Sequence, residues 1–212
     1  MPVHCVVWAK EYLFSQLFGA AEDDAEQLDK AADGENKDEI QELKRESDAL
    51  RKLREAVGEN QFPKDVFEKV FDHDIRRLLS MANMWKNRKP PTPLLYADIA
   101  AMARNSDGQE GLRDQQLWSL GRTCDVFLDS VGRLARRYVD GGREPLSFDK
   151  DDEDCLDFVC TTANLRAHQY GITRQTRFQV KSIAGNIIPA IATTNGSPFV
   201  CGFVNCFANA NF

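Results

Sequence analysis

The segment 181–195 constrains this chain more than any other, because it is almost uncharged in a chain otherwise rich in Asp, Glu, Lys and Arg. Pro189 lies inside what would otherwise be an apolar helix, where a proline removes a hydrogen bond and clashes with the preceding turn. Small residues on both sides of it indicate a backbone packed closely against a large surface: Ala184, Gly185, Ala190 and Ala192. The chain before this segment is too polar to supply the apolar surface that would bury it fully. We therefore expect the chain to be a piece of a larger protein.

The composition excludes several classes of protein. With 212 residues, 42% of them hydrophobic, the chain is long enough for a core and too apolar for wholesale disorder. A net charge of -6 argues against a nucleic-acid partner, which needs a basic face. No window of about 20 apolar residues could cross a membrane, and no signal peptide is visible at the beginning. The 6 cysteines are too sparse for a disulfide scaffold, so we expect free thiols in a reducing, intracellular compartment.

The first part of the chain is predicted to contain two helices separated by a solvated linker. Residues 3–18 carry an apolar stripe at helical spacing, formed by Val6, Ala9, Leu13 and Leu17, and Gly19 is the expected stop. Residues 20–37 are dominated by acidic and small polar residues, which is typical of a linker. Residues 38–57 have apolar positions at roughly heptad spacing on a charged background, which predicts an amphipathic helix.

The middle of the chain is also predicted to be helical. Pro63 begins a dense apolar run, and a proline is well tolerated in the first turn of a helix. Asp72 and Asp74 are expected to cap a second helix within that run. Consecutive prolines from Pro90 end the region, and a short helix is predicted at 94–103.

The longest helix is predicted at 112–139, with one apolar stripe formed by Leu117, Leu120, Cys124, Phe127, Leu128, Val131 and Leu134. Arg133, Arg136 and Arg137 lie in its last turns, where cations favour the helix dipole. As a phosphate-binding patch these arginines are a weak candidate. Few stretches alternate with period two, so the chain is predicted to be mainly α.

An acidic run at 149–154 has two interpretations. A calcium loop needs Gly at its sixth place and Glu at its twelfth, where this chain has Asp154 and Cys160. The pattern favours a helix N-terminus with an aspartate at the cap, followed by an apolar helical run.

The cysteines invite a zinc site that their spacing does not favour. Cys155 and Cys160 lie about 140° apart around a predicted helix, so they do not easily face one ion. Cys201 and Cys206 are separated by four residues, and no third ligand is obvious.

His4 and Cys5 suggest an activated thiol, because a nearby imidazole lowers the pKa of a thiol. Adjacent residues of a helix point about 100° apart, however, so this neighbourhood is poor support for a catalytic pair. From the residues alone we assemble no active site and no metal or cofactor site.

The stretch 148–195 resembles the ubiquitin-like-protein activating enzymes. The resemblance rests on five runs in the same order: Phe148-Asp149-Lys150-Asp151-Asp152, Asp157-Phe158-Val159, Ala163-Asn164-Leu165-Arg166-Ala167, Tyr170-Gly171-Ile172 and Ser182-Ile183-Ala184-Gly185-Asn186-Ile187-Ile188-Pro189-Ala190-Ile191-Ala192-Thr193-Thr194-Asn195. In that family, this passage leads out of the catalytic-cysteine domain and back into the adenylation domain.

The opening narrows the resemblance to the catalytic subunit of the SUMO-activating branch. At the opening it rests on Pro2-Val3-His4-Cys5-Val6-Val7-Trp8-Ala9-Lys10, Tyr12-Leu13-Phe14 and Gln16-Leu17-Phe18-Gly19. Further along it rests on Asp74-Ile75-Arg76 with Leu78-Leu79, on Trp85-Lys86 and on Arg88-Lys89-Pro90-Pro91-Thr92-Pro93-Leu94. The resemblance covers most of the chain, except the charged insert near 20–60 and the end.

The resemblance implies a helical catalytic-cysteine domain that ends in a fragment of the adenylation domain. The expected parts are an opening helix at 1–19, a charged insert with an amphipathic helix at 20–60, a helical body at 61–180, a return segment at 181–195 and a divergent tail at 196–212. With no adenylation domain to cover them, Ile187 to Ile191 and the Phe-rich tail are expected to form an exposed, aggregation-prone patch.

The resemblance also implies an activity for the full-length family. Its members adenylate the C-terminal glycine of SUMO with ATP and magnesium, pass it to a cysteine as a thioester, and transfer it to a conjugating enzyme. By that resemblance, the nucleophilic cysteine and the ATP-binding Gly-rich loop lie upstream of Met1, and Cys5 takes a different, non-nucleophilic position. The structural zinc pairs lie upstream and beyond the end. We therefore expect no catalytic, cofactor-binding or metal-binding residue here, and no turnover by the chain alone.

The partners implied by the resemblance are the SUMO-conjugating enzyme, SUMO and the other subunit of the activating-enzyme heterodimer, with no nucleic acid and no membrane. The implied location is the nucleus, and also the cytoplasm. The alternative is a stand-alone helical module that docks a SUMO-conjugating enzyme or SUMO.

Overall fold

The computed structural model describes residues 1–20, 49–81, 85–86, 89–103 and 114–185. Over these ranges the chain consists of helices and their connections without a strand, which confirms the predicted mainly α fold. None of the helices in these ranges combines the length and apolarity needed to span a membrane.

Besides the helical residues 49–55, six labelled helical segments follow one another in the described ranges. The first, α1, runs without a break through Pro2–Val7, Trp8–Phe14 and Ser15–Phe18, and the second, α2, through Phe62–Glu68, Lys69–His73 and Asp74–Ser80. The middle piece of each is π-helical. The other four are α3 (Tyr96–Ala103), α4 (Leu120–Asp140), α5 (Glu153–Gln169) and α6 (Arg177–Ala184).

Helix α5 is the centre of the fold. Every residue from Cys155 to Leu165 is buried, so this helix is covered on all sides. It packs against α4 along its length and also against α1 and α6. A helix buried all round needs neighbours on each face, and the other helices supply them. Helices α2 and α3 join the fold through α4 instead, against which both of them pack.

Aromatic rings fill the space between α5 and its neighbours. The ring of Phe158 lies 5.8 Å from that of Phe14, 6.0 Å from that of Phe18 and 6.0 Å from that of Phe127, measured between centroids. The first two pairs meet edge to face, an arrangement that adds stability beyond the burial of area. These contacts join α1, α4 and α5 into one core.

Several helix predictions are confirmed. The predicted stripe of α1 is buried at Val6, Ala9, Leu13 and Leu17, and α1 ends at Gly19 as expected. A Cβ atom at Gly19 would lie 2.7 Å from the carbonyl oxygen of Ser15, so the chain can turn away from the helix here only with glycine. The short helix predicted at 94–103 is α3. Helix α4 ends at Asp140, with Gly141 at its C-cap.

The predicted start of the longest helix is wrong. Helix α4 begins at Leu120, not at 112, because Ser119 caps it by accepting a hydrogen bond from the backbone N–H of Arg122 (3.2 Å). Leu117 precedes the helix and is 43% exposed, so it does not belong to the buried stripe. The helical periodicity continued through the cap, and the spacing alone did not locate the boundary.

The predicted capping role of Asp72 and Asp74 is also wrong. Helix α2 continues through both residues, and neither caps a helix. Asp72 accepts a hydrogen bond from Arg76 Nε at 2.6 Å, one turn further along, and Asp74 pairs with Lys69. Because the chain stays helical through the π-helical turn, it forms one continuous segment where the sequence predicted two helices.

Some predictions lie partly or wholly outside the described residues. These are the linker from residue 21 onward, the amphipathic helix before residue 49, the return segment after residue 185, the apolar patch at 187–191 and the tail. Residues 49–55 are helical, with Leu50 buried. The five-part division of the chain stays a prediction.

Candidate functional site

The described cysteines lie in environments that disfavour the thiolate. Cys5, Cys124, Cys155 and Cys160 are free and buried. Burial raises the pKa of Cys124 and Cys160 to about 12, and that of Cys155 to about 11. Because the thiolate is the nucleophile, these three side chains are poorly suited to thioester chemistry at neutral pH.

The surroundings of Cys5 do not activate its thiol, against the suggestion of the neighbouring His4 in the sequence. The side chain is only 4% exposed, whereas His4 lies on the exposed surface of α1. Burial raises the pKa of the Cys5 thiol, and the positive charge of Arg166 lowers it only in part. Cys5 therefore behaves as a small apolar residue of the core.

The acidic run at 149–154 organises the beginning of α5. The Asp152 side chain caps the helix by accepting a hydrogen bond from the backbone N–H of Asp154 at 2.9 Å, which confirms the predicted N-terminal cap. Asp149 accepts a hydrogen bond from the backbone N–H of Asp151 at 2.9 Å. Within the described ranges, no three His, Cys, Asp or Glu side chains converge as ligands for a metal ion. Cys201 and Cys206 lie outside those ranges.

The most prominent polar feature of the described chain is an ion cluster around Asp157, in the middle of α5. Asp157 is 1% exposed, and its Oδ1 accepts a hydrogen bond from Arg177 Nε at 2.7 Å. Its other carboxylate oxygen accepts a longer bond from Arg133 Nη2, at 3.4 Å. A buried carboxylate needs such partners, because an unpaired charge in the interior is strongly unfavourable. The Asp157 cluster thus ties α4 and α6 to the central helix.

Arg177 extends the Asp157 cluster to the chain before α4. Its Nη1 donates a hydrogen bond to Asp114 Oδ1 at 3.0 Å, and the backbone N–H of Phe178 donates to the carbonyl oxygen of Asp114 at 2.9 Å. Burial alone would lower the pKa of Arg177, but the hydrogen bond and charge of Asp157 outweigh it, so its pKa lies above the ordinary value. The guanidinium stays charged and links three parts of the chain.

A second set of ion pairs continues along α4 and the start of α5. Arg133 Nε donates to Asp154 Oδ1 at 2.5 Å, and Arg137 Nη1 donates to Asp152 Oδ2 at 2.6 Å and to Asp154 Oδ2 at 3.2 Å. The sequence predicted that these arginines favour the dipole of α4, and it did not predict their ion pairs with Asp152 and Asp154. Arg133 also pairs with Asp129, one turn away on α4, but Asp152 and Asp154 lie at the start of another helix, so local spacing does not predict those pairings. The phosphate-patch interpretation loses two of its three cations to these carboxylates.

A polar pocket of about 290 Å³ opens beside the connection between α4 and α5. It is lined by Lys10, Phe148, Asp149, Lys150 and Ala184. The ammonium group of Lys10 lies 5.2 Å from the centroid of the Phe148 ring and also pairs with Glu11 at 3.1 Å. The pocket brings together neither a nucleophile and a base nor a set of metal ligands. It therefore offers no catalytic arrangement.

These features join four helices of the described chain. The Asp157 cluster and the aromatic core hold α1, α4, α5 and α6 together, and the four described cysteines are buried among these helices.

Comparison with known proteins agrees with the resemblance in the sequence. The profile of the "Ubiquitin-activating enzyme, SCCH domain" family matches residues 107–181, a span that includes α4, α5 and the start of α6. SUMO-activating enzyme subunit 2 of Dictyostelium discoideum is 38% identical over 207 residues, which is 92% of this chain and 30% of that protein.

Two further relatives show the same pattern. A "Ubiquitin-activating enzyme E1-like" protein of Saccharomyces cerevisiae is 37% identical over 202 residues, covering 92% of this chain and 30% of the relative. SUMO-activating enzyme subunit uba-2 of Caenorhabditis elegans is 34% identical over 206 residues, covering 91% of this chain and 35% of the relative. The chain spans about a third of the length of these curated relatives.

The matched span coincides with the helices that carry the Asp157 cluster, and the similarity extends from there over nearly the whole chain. The chain therefore belongs to the ubiquitin-like modifier activating enzymes, where it corresponds to part of the catalytic-cysteine domain of the SUMO-activating catalytic subunits.

Proposed function

We propose that this chain acts in the ATP-dependent activation of SUMO, as the part of a catalytic-cysteine domain that positions the thioester and presents it to the conjugating enzyme. The observation that carries the proposal is its 38% identity to a SUMO-activating enzyme subunit 2 over 92% of its length. The packing of α1, α4 and α6 around α5 supports a positioning role, because catalysis depends on holding the reacting groups in the right geometry.

The proposed partners are SUMO, the SUMO-conjugating enzyme and the other subunit of a heterodimer. The proposed location is the nucleus, and also the cytoplasm. ATP, magnesium and structural zinc belong to the proposed full-length activity. In the described ranges no convergent set of metal ligands fits zinc or magnesium, and the sequence holds no Gly-rich phosphate loop. This chain alone is therefore expected to have no turnover.

A binding titration tests the proposal. Isotopically labelled chain is titrated with the SUMO-conjugating enzyme and followed by NMR, with calorimetry for the affinity. A conjugating enzyme for a different modifier is the matched control. The expected result is weak, saturable binding of the SUMO enzyme, with shifts confined to one face and with weaker binding of the control.

Two outcomes contradict the proposal. A folded chain that binds neither SUMO nor its conjugating enzyme would have no partner role in the pathway. If the chain alone catalysed ATP–pyrophosphate exchange in the presence of SUMO, it would carry an adenylation site. That result would contradict the proposal that this chain only positions and presents the thioester.

A further inference from the structure

A surface arginine is held between aromatic rings on the face formed by α1 and the end of α5. The guanidinium carbon of Arg166 lies 3.8 Å from the centroid of the Trp8 ring and 5.1 Å from that of the Tyr170 ring. Trp8 stands beside Tyr12, with 5.7 Å between ring centroids. All four side chains are half-buried. We call Trp8, Tyr12, Arg166 and Tyr170 the Arg166 surface.

Arg166 differs from the other arginines of the central helices. Arg133, Arg137 and Arg177 each bind carboxylates, whereas no carboxylate in the described ranges lies within ion-pair distance of Arg166. The nearest acidic residue along α1, Glu11, is paired with Lys10 at 3.1 Å. Over the described ranges, the Arg166 surface thus carries a positive charge with no carboxylate partner, in a protein whose net charge is -6.

The stacking leaves the hydrogen-bonding capacity of Arg166 free. A guanidinium lying over aromatic rings uses its faces for them, and its in-plane N–H groups still match both oxygens of a carboxylate. The rings also hold the long side chain in place, which lowers the entropy lost when a ligand binds. Trp, Tyr and Arg are the residue types that dominate the energetics of protein interfaces.

An apolar stripe borders the Arg166 surface on the same helix. Val3 and Val7 are 45% and 49% exposed, one helical turn apart, and they lie next to the face that carries His4, Trp8 and Tyr12. A free phosphate could bind the guanidinium but would leave this stripe uncovered, and a single guanidinium would balance only part of the charge of a dianion. A protein segment with acidic and aliphatic side chains uses both.

We propose that the Arg166 surface is a docking site for an acidic segment of another protein, in which a carboxylate binds the Arg166 guanidinium and neighbouring aliphatic side chains cover Val3 and Val7. The inference stands on the side chains of α1 and α5. It does not depend on the proposed role in SUMO activation, so either one can fail alone.

A peptide titration of the full chain tests the docking site. The probe is a short synthetic peptide in which glutamates alternate with leucines, and its control has glutamines in place of the glutamates. The indole N–H resonance of Trp8, assigned with a Trp8→Phe variant, should shift saturably with the acidic peptide. Arg166→Gln and Arg166→Lys should each weaken that binding about tenfold, because lysine keeps the charge but loses the planar fork. Arg136→Gln, which removes an exposed charge from α4, should leave it unchanged.

The contrary results are equally specific. Equal shifts with the acidic and the glutamine peptide would show a purely apolar surface, and saturation by inorganic phosphate with the same change at Trp8 would show a simple anion site. Either result overturns the proposal, as does the absence of any shift. The comparison of the two peptides on the unmodified chain decides the matter even if a substitution at Arg166 disturbs folding.

Discussion

Replacing Asp157 with asparagine is expected to destabilise the fold strongly, because it removes a charge and almost no volume. The 1% exposed carboxylate is bonded to Arg177 at 2.7 Å and to Arg133 at 3.4 Å. Breaking a buried ion pair by removing one partner costs about 3–5 kcal/mol, since the other charge is left without compensation. Arg177 keeps Asp114, and Arg133 is one-third exposed. We therefore expect a loss of about 3 kcal/mol, at the lower end of that range.

The assay is chemical unfolding of the full chain, followed by circular dichroism and tryptophan fluorescence, with coincidence of the two probes as the test of two-state behaviour. Asp125→Asn is the matched control, because Asp125 is exposed on α4 and the same substitution there should change stability by less than about 0.5 kcal/mol. In a double-mutant cycle, Asp157→Asn with Arg177→Gln should cost less than the sum of the single changes by more than about 1 kcal/mol.

A small effect would refute the reasoning. If Asp157→Asn lowers the free energy of unfolding by no more than the Asp125→Asn control, the buried ion cluster does not hold α4 and α6 on the central helix. Additive single substitutions would refute the direct coupling between Asp157 and Arg177. In either case, the aromatic packing around Phe158 would be the main source of cohesion between these helices.

Three further predictions follow from individual contacts. Gly58→Ala should cost roughly 1–3 kcal/mol in thermal unfolding, because Gly58 has φ +108° and a Cβ would lie 3.2 Å from a methyl carbon of Val139; Gly171→Ala, at φ +63° in open space, should cost less. Burial opposes ionisation of Asp152, but the hydrogen bond from Arg137 outweighs it and holds the pKa of Asp152 below its ordinary value. The resulting stabilisation is present above the unfolded-state pKa of about 4 and is lost as the pH falls through the lower folded-state pKa. Arg137→Gln should therefore reduce the loss of stability on the acid side of a stability–pH profile by at most about 1 kcal/mol. An unchanged profile would contradict this. With the two cysteines of the tail replaced by serine, the four buried thiols should react with a thiol reagent only at the rate of unfolding, and rapid labelling of the native chain would contradict their burial.

Much of the local structure could be predicted from the sequence because helical periodicity is a local property. The stripe of α1 and its stop at Gly19 were readable, as was the acidic cap of α5. Boundaries inside a continuous pattern were less readable. The apolar period runs on through Ser119, where a side-chain hydrogen bond ends the preceding connection and starts α4.

The Asp157 cluster illustrates what local patterns miss. Its partners on α4 and α6 are separated from Asp157 by 24 and 20 residues, and no spacing rule joins positions so far apart. Arg133 and Arg137 were therefore assigned to the dipole of their own helix, and Asp157 was not identified as a candidate. The available signal was an acidic residue within an apolar helical run, because such a residue becomes buried and then needs a cationic partner.

The sequence by itself determined that the chain is mainly helical, where most helices lie and to which family it belongs, because these depend on short-range periodicity and on runs of identical residues. Only the tertiary structure decided that α5 lies at the centre, that the described thiols are buried, and that Arg166 is held on an exposed aromatic surface. The physical reason is that burial and charge pairing depend on which helices meet. That choice is made by the whole set of packing contacts together, not by any one segment.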